Sequence, residues 1–410
     1  MSDLADLAPK SRTCASPPHA VAAAGRGADE ATPVLSALED VDAEAWHALA
    51  DRAAEPNGYY LPGWERAVNA CAPGRGGALA LTVWDPVAAP PAPRRLIALL
   101  PATSAWRAFR IPVAALVSAD PYGVLGTPLL DAADSDAAAH ALLVQARAAG
   151  LHALVLRDVA LDGPALAALT RSLGTDGLAP RLVRRYARAG LDAMQDAEAL
   201  LRDALGAKKL KELRRQRHRL AEHGAVAFAV ARDPDEVARA LEVFFTLEAS
   251  GWKARRGTAM AQSPGDAAFL RRASADLSVR GACEIVTLSA GATPVAAGVV
   301  LRHLDRAFWF KLGIDQRFAK FSPGVQLALE LTRHLCADPR IRFADSTASP
   351  DHPMINPIWR QRLALGDVLL PLRRHDPAVE LLHLALLARR YGRDAARGIV
   401  HALRRWARRA

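Results

Sequence analysis

Cysteine is scarce in this chain. Its four cysteines, Cys14, Cys71, Cys283 and Cys336, stand far apart, with no CxxC pair and no Cys/His spacing of the kind that holds zinc. That pattern predicts no structural metal and a reducing compartment. Aromatic residues make up only 6% of the chain. Long apolar runs are missing as well: the best, Ala378 to Ala388, falls short of the roughly 18 residues a span needs and contains Glu380 and His383. No GxSxG elbow, Walker loop or HExxH helix occurs, which weakens hydrolase, NTPase and metalloprotease readings. The first 30 residues carry acids where a signal peptide has basic residues, and they read as a disordered leader of a cytoplasmic protein.

What is present is enough apolar material for two cores: 410 residues, 51% of them hydrophobic. The net charge of +10 is focused. Residues 208 to 223 hold seven Lys/Arg against two Glu, and residues 371 to 410 hold ten Arg against three acids, so the remaining chain is slightly acidic. Two segments therefore make the protein basic.

Periodicity predicts a mixed α/β order. Helices around Trp46 and Trp64 precede a hairpin of strands at 79–84 and 95–102, whose tip is the Pro-rich DPVAAPPAPR. A helix at 135–149, the strand HALVLRDV, a helix after Gly163-Pro164 and the strand PRLVRRYAR complete a first half. The second half begins with the basic helix KKLKELRRQRHRLAEHG and runs through a strand and two helices to an antiparallel meander: CEIVTLS, TPVAAGVVLRH and RAFWFKLGI. A helix from Pro323 and the strand IRFAD follow. The shared order of the halves predicts a duplicated fold, although no residue-level repeat is visible. The expected parts are a leader (1–32), a first domain (33–195), a second, catalytic domain (196–372) and a basic amphipathic helical tail (373–410).

The sharpest local feature is Ser322-Pro323-Gly324. Ser is a good N-cap, Pro suits the first helical position, and Gly admits a ligand close to the backbone. The free N–H groups and dipole of such a helix start form an anion site, to which Arg317 and Lys320 add charge; the plain alternative is a helix start with two solvated cations. Group-transfer chemistry beside such an anion site also calls for a proton acceptor and a hydrogen-bond donor to developing charge. Candidates are Asp345, at the end of IRFAD, and His352, in the SPDHP loop, with Asp345 as a loop cap the alternative. Lys311, alternating with Trp309 on one strand face, places an amine in the meander unless it reaches solvent. Glu248 and Lys253 bracket Trp252 before the meander and form a substrate-facing group, with Trp252 as plain packing the competing reading.

Five ordered segments widen the frame: the basic helix, EASGWKARRGTAM, PVAAGVVL, FWFKLGIDQRFAKFSPGVQLALE and FADSTASPDHPMINPIW. Together they resemble the FemAB-like branch of the GNAT acetyltransferases, including CelD-like proteins of cellulose biosynthesis. GTPLL and RRYARAGL extend the resemblance into the first half. It implies an α/β fold of two tandem GNAT-like domains with mixed, mostly antiparallel sheets flanked by helices. It also implies an acyltransferase that moves an acyl group, acetyl above all, from a CoA thioester to an amine or hydroxyl of a small-molecule or glycan acceptor, in polysaccharide or envelope biosynthesis, with no metal. By position, Arg317, Lys320, Ser322, Pro323, Gly324 and Val325 would form the pyrophosphate loop. Where the usual loop has a Gly two residues before its second small residue, this chain has Lys320-Phe321-Ser322. FemAB relatives accept aminoacyl-tRNA as donor, a reading the basic helix keeps open. Two further partners fit the charge: nucleic acid, weakened by the lack of interleaved aromatics, and an anionic membrane surface for the Arg-rich tail, at the inner membrane face.

Overall fold

The computed structural model describes residues 35–85, 94–251 and 256–406. In the first half β1 (Leu35–Ala37) is followed by α1 (Ala43–Ala50), α2 (Pro62–Cys71), β2 (Leu79–Trp84), β3 (Leu96–Ser104), α3 (Ala105–Phe109) and β4 (Ala115–Ser118). Next come β5 (Leu129–Leu130), α4 (Ser135–Ala148), β6 (Ala153–Ala160), α5 (Pro164–Thr175) and β7 (Arg181–Asp192). The second half comprises α6 (Ala197–Ala221), β8 (Val226–Ala231), α7 (Pro234–Ala249), α8 (Pro264–Val279), β9 (Cys283–Ala290), β10 (Thr293–His303) and β11 (Arg306–Ile314). It ends with α9 (Pro323–Cys336), β12 (Phe343–Asp345), β13 (Gln361–Pro371) and α10 (Pro377–Trp406). Helix starts follow local chemistry: the carboxylates of Asp42, Asp134 and Asp196 accept the backbone N–H three residues on, at 2.7–2.8 Å. Gly206, at φ 71°, kinks α6 and sets the basic segment apart from the helix's first turns.

All strands join one 13-stranded sheet in the order β1-β2-β3-β4-β6-β13-β7-β12-β11-β10-β9-β8, with β5 on β3. Read from either edge, the sheet repeats itself. Four antiparallel strands are followed by a parallel pair three residues long, Ala115–Val117 with Ala153–Val155 and Arg306–Phe308 with Phe343–Asp345. Beyond each pair lies an antiparallel strand taken from the other half: β13 on β6, and β7 on β12. The two exchanged strands pair with each other at the centre. This is a tandem GNAT-like architecture, and the duplication lies in strand order and direction. The strand β13 escapes the periodicity reading, and it carries residues of the expected second domain into the sheet of the first.

Apolar faces pack helices on both sides of the sheet. One large core joins Trp46, Trp64 and Leu142 to Phe244, Phe269 and Phe308, so it runs across both halves. A second, around Trp309, Leu327 and Trp359, lies in the second half together with Ala189 and Leu191 of β7. The tail forms one helix, α10, and its Val379, Leu382 and Leu386 pack on Ile111, Val117 and Val183 of the first half. No helix among the described residues is long and apolar enough to cross a membrane. Cys283, which is buried, and Cys336 are free thiols.

The halves are also joined by a buried histidine. His303 Nδ1 accepts the Asn57 N–H at 2.8 Å, and its Nε2–H donates to Ala50 O at 3.0 Å. Burial lowers its pKa from 6.5 to about 4, so the folded chain refuses a proton that the unfolded chain binds. This contribution is complete above about pH 6.5 and is lost as pH falls, by about 3 kcal/mol near pH 4. Urea unfolding between pH 8 and 4 is expected to show a steeper stability loss in the natural chain than in His303→Gln; equal slopes would refute the assignment.

Candidate active site

The strands β11 and β12 pair for three residues and then part. Trp309–Ile314 runs on with β10 at its other edge, while the chain after Asp345 turns away. Between the arms lies a cavity of about 340 Å³, lined on one side by Trp309 to Ile314 and on the other by Ser346, Thr347, His352 and Met354, with Glu248 behind. Thr347 makes the turn at φ 48°, a region a β-branched residue seldom enters. Two bonds hold it there: its N–H donates to Asp345 Oδ1 at 2.9 Å and its hydroxyl donates to Trp309 O.

The cavity gathers three of the expected residues: Glu248, Lys311 and His352. The surroundings of each bear on its expected role. Glu248 is buried, and its Oε2 accepts the Met260 N–H at 2.8 Å, so it also fixes the neighbouring turn. His352 is half-buried and burial lowers its pKa. Its Nδ1 accepts the N–H groups of Met354 and Ile355 at 3.4 Å, which leaves the proton of the neutral ring on Nε2. It is thus arranged as a hydrogen-bond donor rather than as a base. Lys311 does not share a face with Trp309. A bulge opposite Val299–Val300 inserts Phe310 and shifts the alternation. Trp309 therefore packs near Trp359, while Lys311 Nζ lies 5.5 Å from the Tyr122 ring centre of the first half.

Asp345 is not at the cavity surface. It and Arg188 are both 0% exposed and form a two-pronged ion pair, with Arg188 Nε donating to Oδ1 at 2.7 Å and Nη2 donating to Oδ2. Arg188 Nη1 donates to Val124 O at 2.6 Å. This fully buried carboxylate, with three N–H donors on its two oxygens, closes the end of β12 and presents no surface to the cavity, which favours the loop-capping alternative over the catalytic role expected for Asp345. Arg188 lies in an unremarkable RRYARAGL stretch, and only sheet topology reveals the pair.

The expected pyrophosphate loop is split. Gly324 abuts the cavity wall: a Cβ there would lie 3.1 Å from Leu312 and 3.3 Å from Met354 Sδ. The N–H groups of Gly324 and Val325 have no acceptor among the described residues, as expected of an anion-binding helix start. Ser322 does not cap through its side chain; it sits in the left-handed region at φ 55°, ψ 50°, the conformation for which glycine is usual. Pro323 occupies the first helical position and is buried. Arg317 and Lys320 line a separate depression with His223 and Thr293, and Arg317, 78% exposed, is held by Asp315 at 2.7 Å. Its guanidinium in turn keeps the Asp315 carboxyl below its usual range. Trp252 and Lys253 lie outside the described residues.

Residues 207–351 match the acetyltransferase (GNAT) domain family. No curated protein matches the chain. Among solved structures, FemX is similar at 9% identity with a TM-score of 0.54, over 84% of this chain and 98% of that one. L-PGS from Bacillus licheniformis is similar at 12% identity and 0.49, over 84% and 96%. A tandem GNAT protein from the clavulanic acid biosynthesis pathway matches at 14% and 0.38, over 83% and 99%. The family match over residues 207–351 places a GNAT domain in the second half and marks the protein as an acyltransferase enzyme.

Removing one member of the buried pair leaves the other charge uncompensated. Asp345→Ala is expected to cost about 3–5 kcal/mol in urea unfolding, with Arg188→Met/Asp345→Leu costing less than the sum of the single changes. A catalytic base would behave otherwise, losing activity at unchanged stability.

Proposed function

We propose that the protein transfers an acyl group from a CoA thioester to an amine or hydroxyl acceptor, with the donor lying in the slot where β11 and β12 part. The observation that carries this reading is the slot itself: an open strand edge, a lining that is largely apolar, and, packed behind its lining residues Leu312 and Met354, a helix start whose Gly324 and Val325 N–H groups have no acceptor among the described residues. Those amides would hold a pyrophosphate, with Lys320 and Arg317 supplying charge from the adjoining depression. The bulged Phe310, which has no partner in the β10–β11 register, and the Nε2–H of His352 are the candidate donors to a developing oxyanion. Lys311 and Glu248 are the ionisable groups for receiving or placing the acceptor. Water serves as the proton acceptor in this scheme, since Asp345 is engaged elsewhere.

The second reading has an observation of its own. Lys208, Lys209, Lys211, Arg214 and Arg215 are exposed on α6. That helix packs beside the start of α9, where Gln326 Nε2 donates to Leu213 O at 2.8 Å. This basic face next to the donor helix suits an aminoacyl-tRNA donor. The likeness to FemX supports the FemAB-like side of the resemblance; the CelD-like side and a role in cellulose or envelope biosynthesis rest on the residues alone.

Calorimetric titration with acetyl-CoA, longer acyl-CoAs and free CoA is expected to show saturable binding near one equivalent, abolished in Gly324→Trp, where the indole would enter the slot wall. Arg317→Ala should weaken it only a few-fold, because an exposed, already paired guanidinium contributes little. Absence of thioester binding, with retention of aminoacyl-tRNA that is lost when Lys208, Lys209 and Lys211 become Glu, would replace the CoA reading by the second one.

A further inference from the structure

The first half has a strand pair equivalent to β11 and β12, but there the chain fills its own slot. Beyond β4 and β6, Gly126 N–H donates to Asp158 O at 3.4 Å and Arg157 N–H donates to Ser118 Oγ at 2.9 Å, leaving a void of about 10 Å³. The equivalent helix start, at α4, is occupied by the Asp134 carboxylate, which repels an anion. Beside this plugged slot opens a different cavity of about 310 Å³. Its walls are the turn Pro73-Gly74-Arg75-Gly76, Thr103, Arg107 and Arg157, and Asp120 is the one carboxylate among its lining residues.

Its polar groups are donors short of acceptors. Arg75 Nε and Thr103 Oγ1 are buried without a hydrogen-bond partner. The Arg157 guanidinium makes no hydrogen bond or ion pair among the described residues, and its backbone N–H alone is engaged, by Ser118. Arg107 is committed to the turn, donating to Gly76 O and, at 2.9 Å, to Gly77 O. Asp120 lies 3.4 Å from Arg75, and its Oδ1 also accepts the Tyr122 N–H. Three guanidinium groups around one carboxylate, with buried N–H and O–H groups unmet, favour an anion with several acceptor oxygens.

One ring connects this cavity to the slot. Arg75 Cζ lies 4.3 Å from the Tyr122 ring centre, and Lys311 Nζ, in the slot, lies 5.5 Å from the same centre. Tyr122 is held at φ 60° and stacks on Phe269 at 5.1 Å, so its ring is fixed beside both Arg75 and Lys311. We propose that the first-half cavity binds the anionic group, a phosphate or a carboxylate, of the acceptor, whose nucleophile then reaches the slot past Tyr122. The name acceptor rests on the acyl-transfer reading; the anion site rests on the cavity.

The test uses the full chain, with inorganic phosphate and malonate as separate probes and phenylglyoxal modification of arginines read by peptide mass spectrometry. Either anion is expected to protect Arg75 and Arg157 saturably. Arg157→Ala should weaken that protection at Arg75 at least about tenfold, and Arg157→Lys should restore part of it. Stronger protection by phosphate assigns a phosphate-bearing acceptor, and stronger protection by malonate a carboxylate-bearing one. Protection at Arg317 alone, or protection of Arg75 unchanged in a folded Arg157→Ala protein, overturns the proposal. In thioester turnover, an amine carrying a phosphate should show a lower KM than the same amine without it, and Arg157→Ala should erase the difference; equal KM values in the natural protein overturn the acceptor assignment. Failure of the donor reading would appear separately, as absent thioester binding with anion protection intact.

Discussion

The slot exists because a charged pair is sealed at its apex. Arg188, on a strand that the first half contributes to the second, and Asp345, the last residue of β12, neutralise each other with no exposure to water. The same guanidinium reaches Val124 O in the first half, and the same carboxylate accepts the N–H of Thr347. Four segments are therefore pinned where the two strands separate. Without this pairing, Thr347 would have only its hydroxyl bond to Trp309 O to set against the cost of a left-handed conformation, and the chain could continue as a strand and close the gap. A buried ion pair is weak evidence of net stability, but it specifies geometry strongly because neither partner tolerates the other's absence.

The exchange of β7 and β13 gives this constraint its reach. Each half completes its sheet with a strand from the other, so the two GNAT-like units share one sheet and one core. Within that frame the halves have diverged in opposite directions. The second keeps an open slot and a helix start with unmet N–H groups. The first fills its slot with its own chain, places Asp134 at the corresponding helix, and opens an arginine-lined cavity beside it. On the reading proposed above, a duplicated unit serves two recognition problems, donor and acceptor, that meet at Tyr122 and Lys311.

Most elements were legible in the sequence because their signals are local. Pro323 and Gly324 mark the start of α9, aspartates cap α1, α4 and α6, and the meander has its alternation and turns. What escaped was non-local. The strand β13 has no partner adjacent in sequence, and the bulge at Phe310 turns Lys311 away from the Trp309 face, which no alternation rule foresees. Asp345 is a candidate in the sequence because it ends a strand before a loop, whereas its partner lies 157 residues away. His352 lines the cavity, and its Nδ1 bonds to the following turn, which leave Nε2–H as a donor, depend on a backbone fold that spacing alone does not reveal.

The most direct measurement is amide hydrogen exchange with and without a non-transferable acyl-CoA thioether, resolved along the chain. An account that places the donor between β11 and the 346–355 arm predicts slowed exchange at Trp309–Ile314 and at Gly324 and Val325, with no change over residues 115–126 of the first half. Protection confined to the first half, or none at the start of α9, would contradict it.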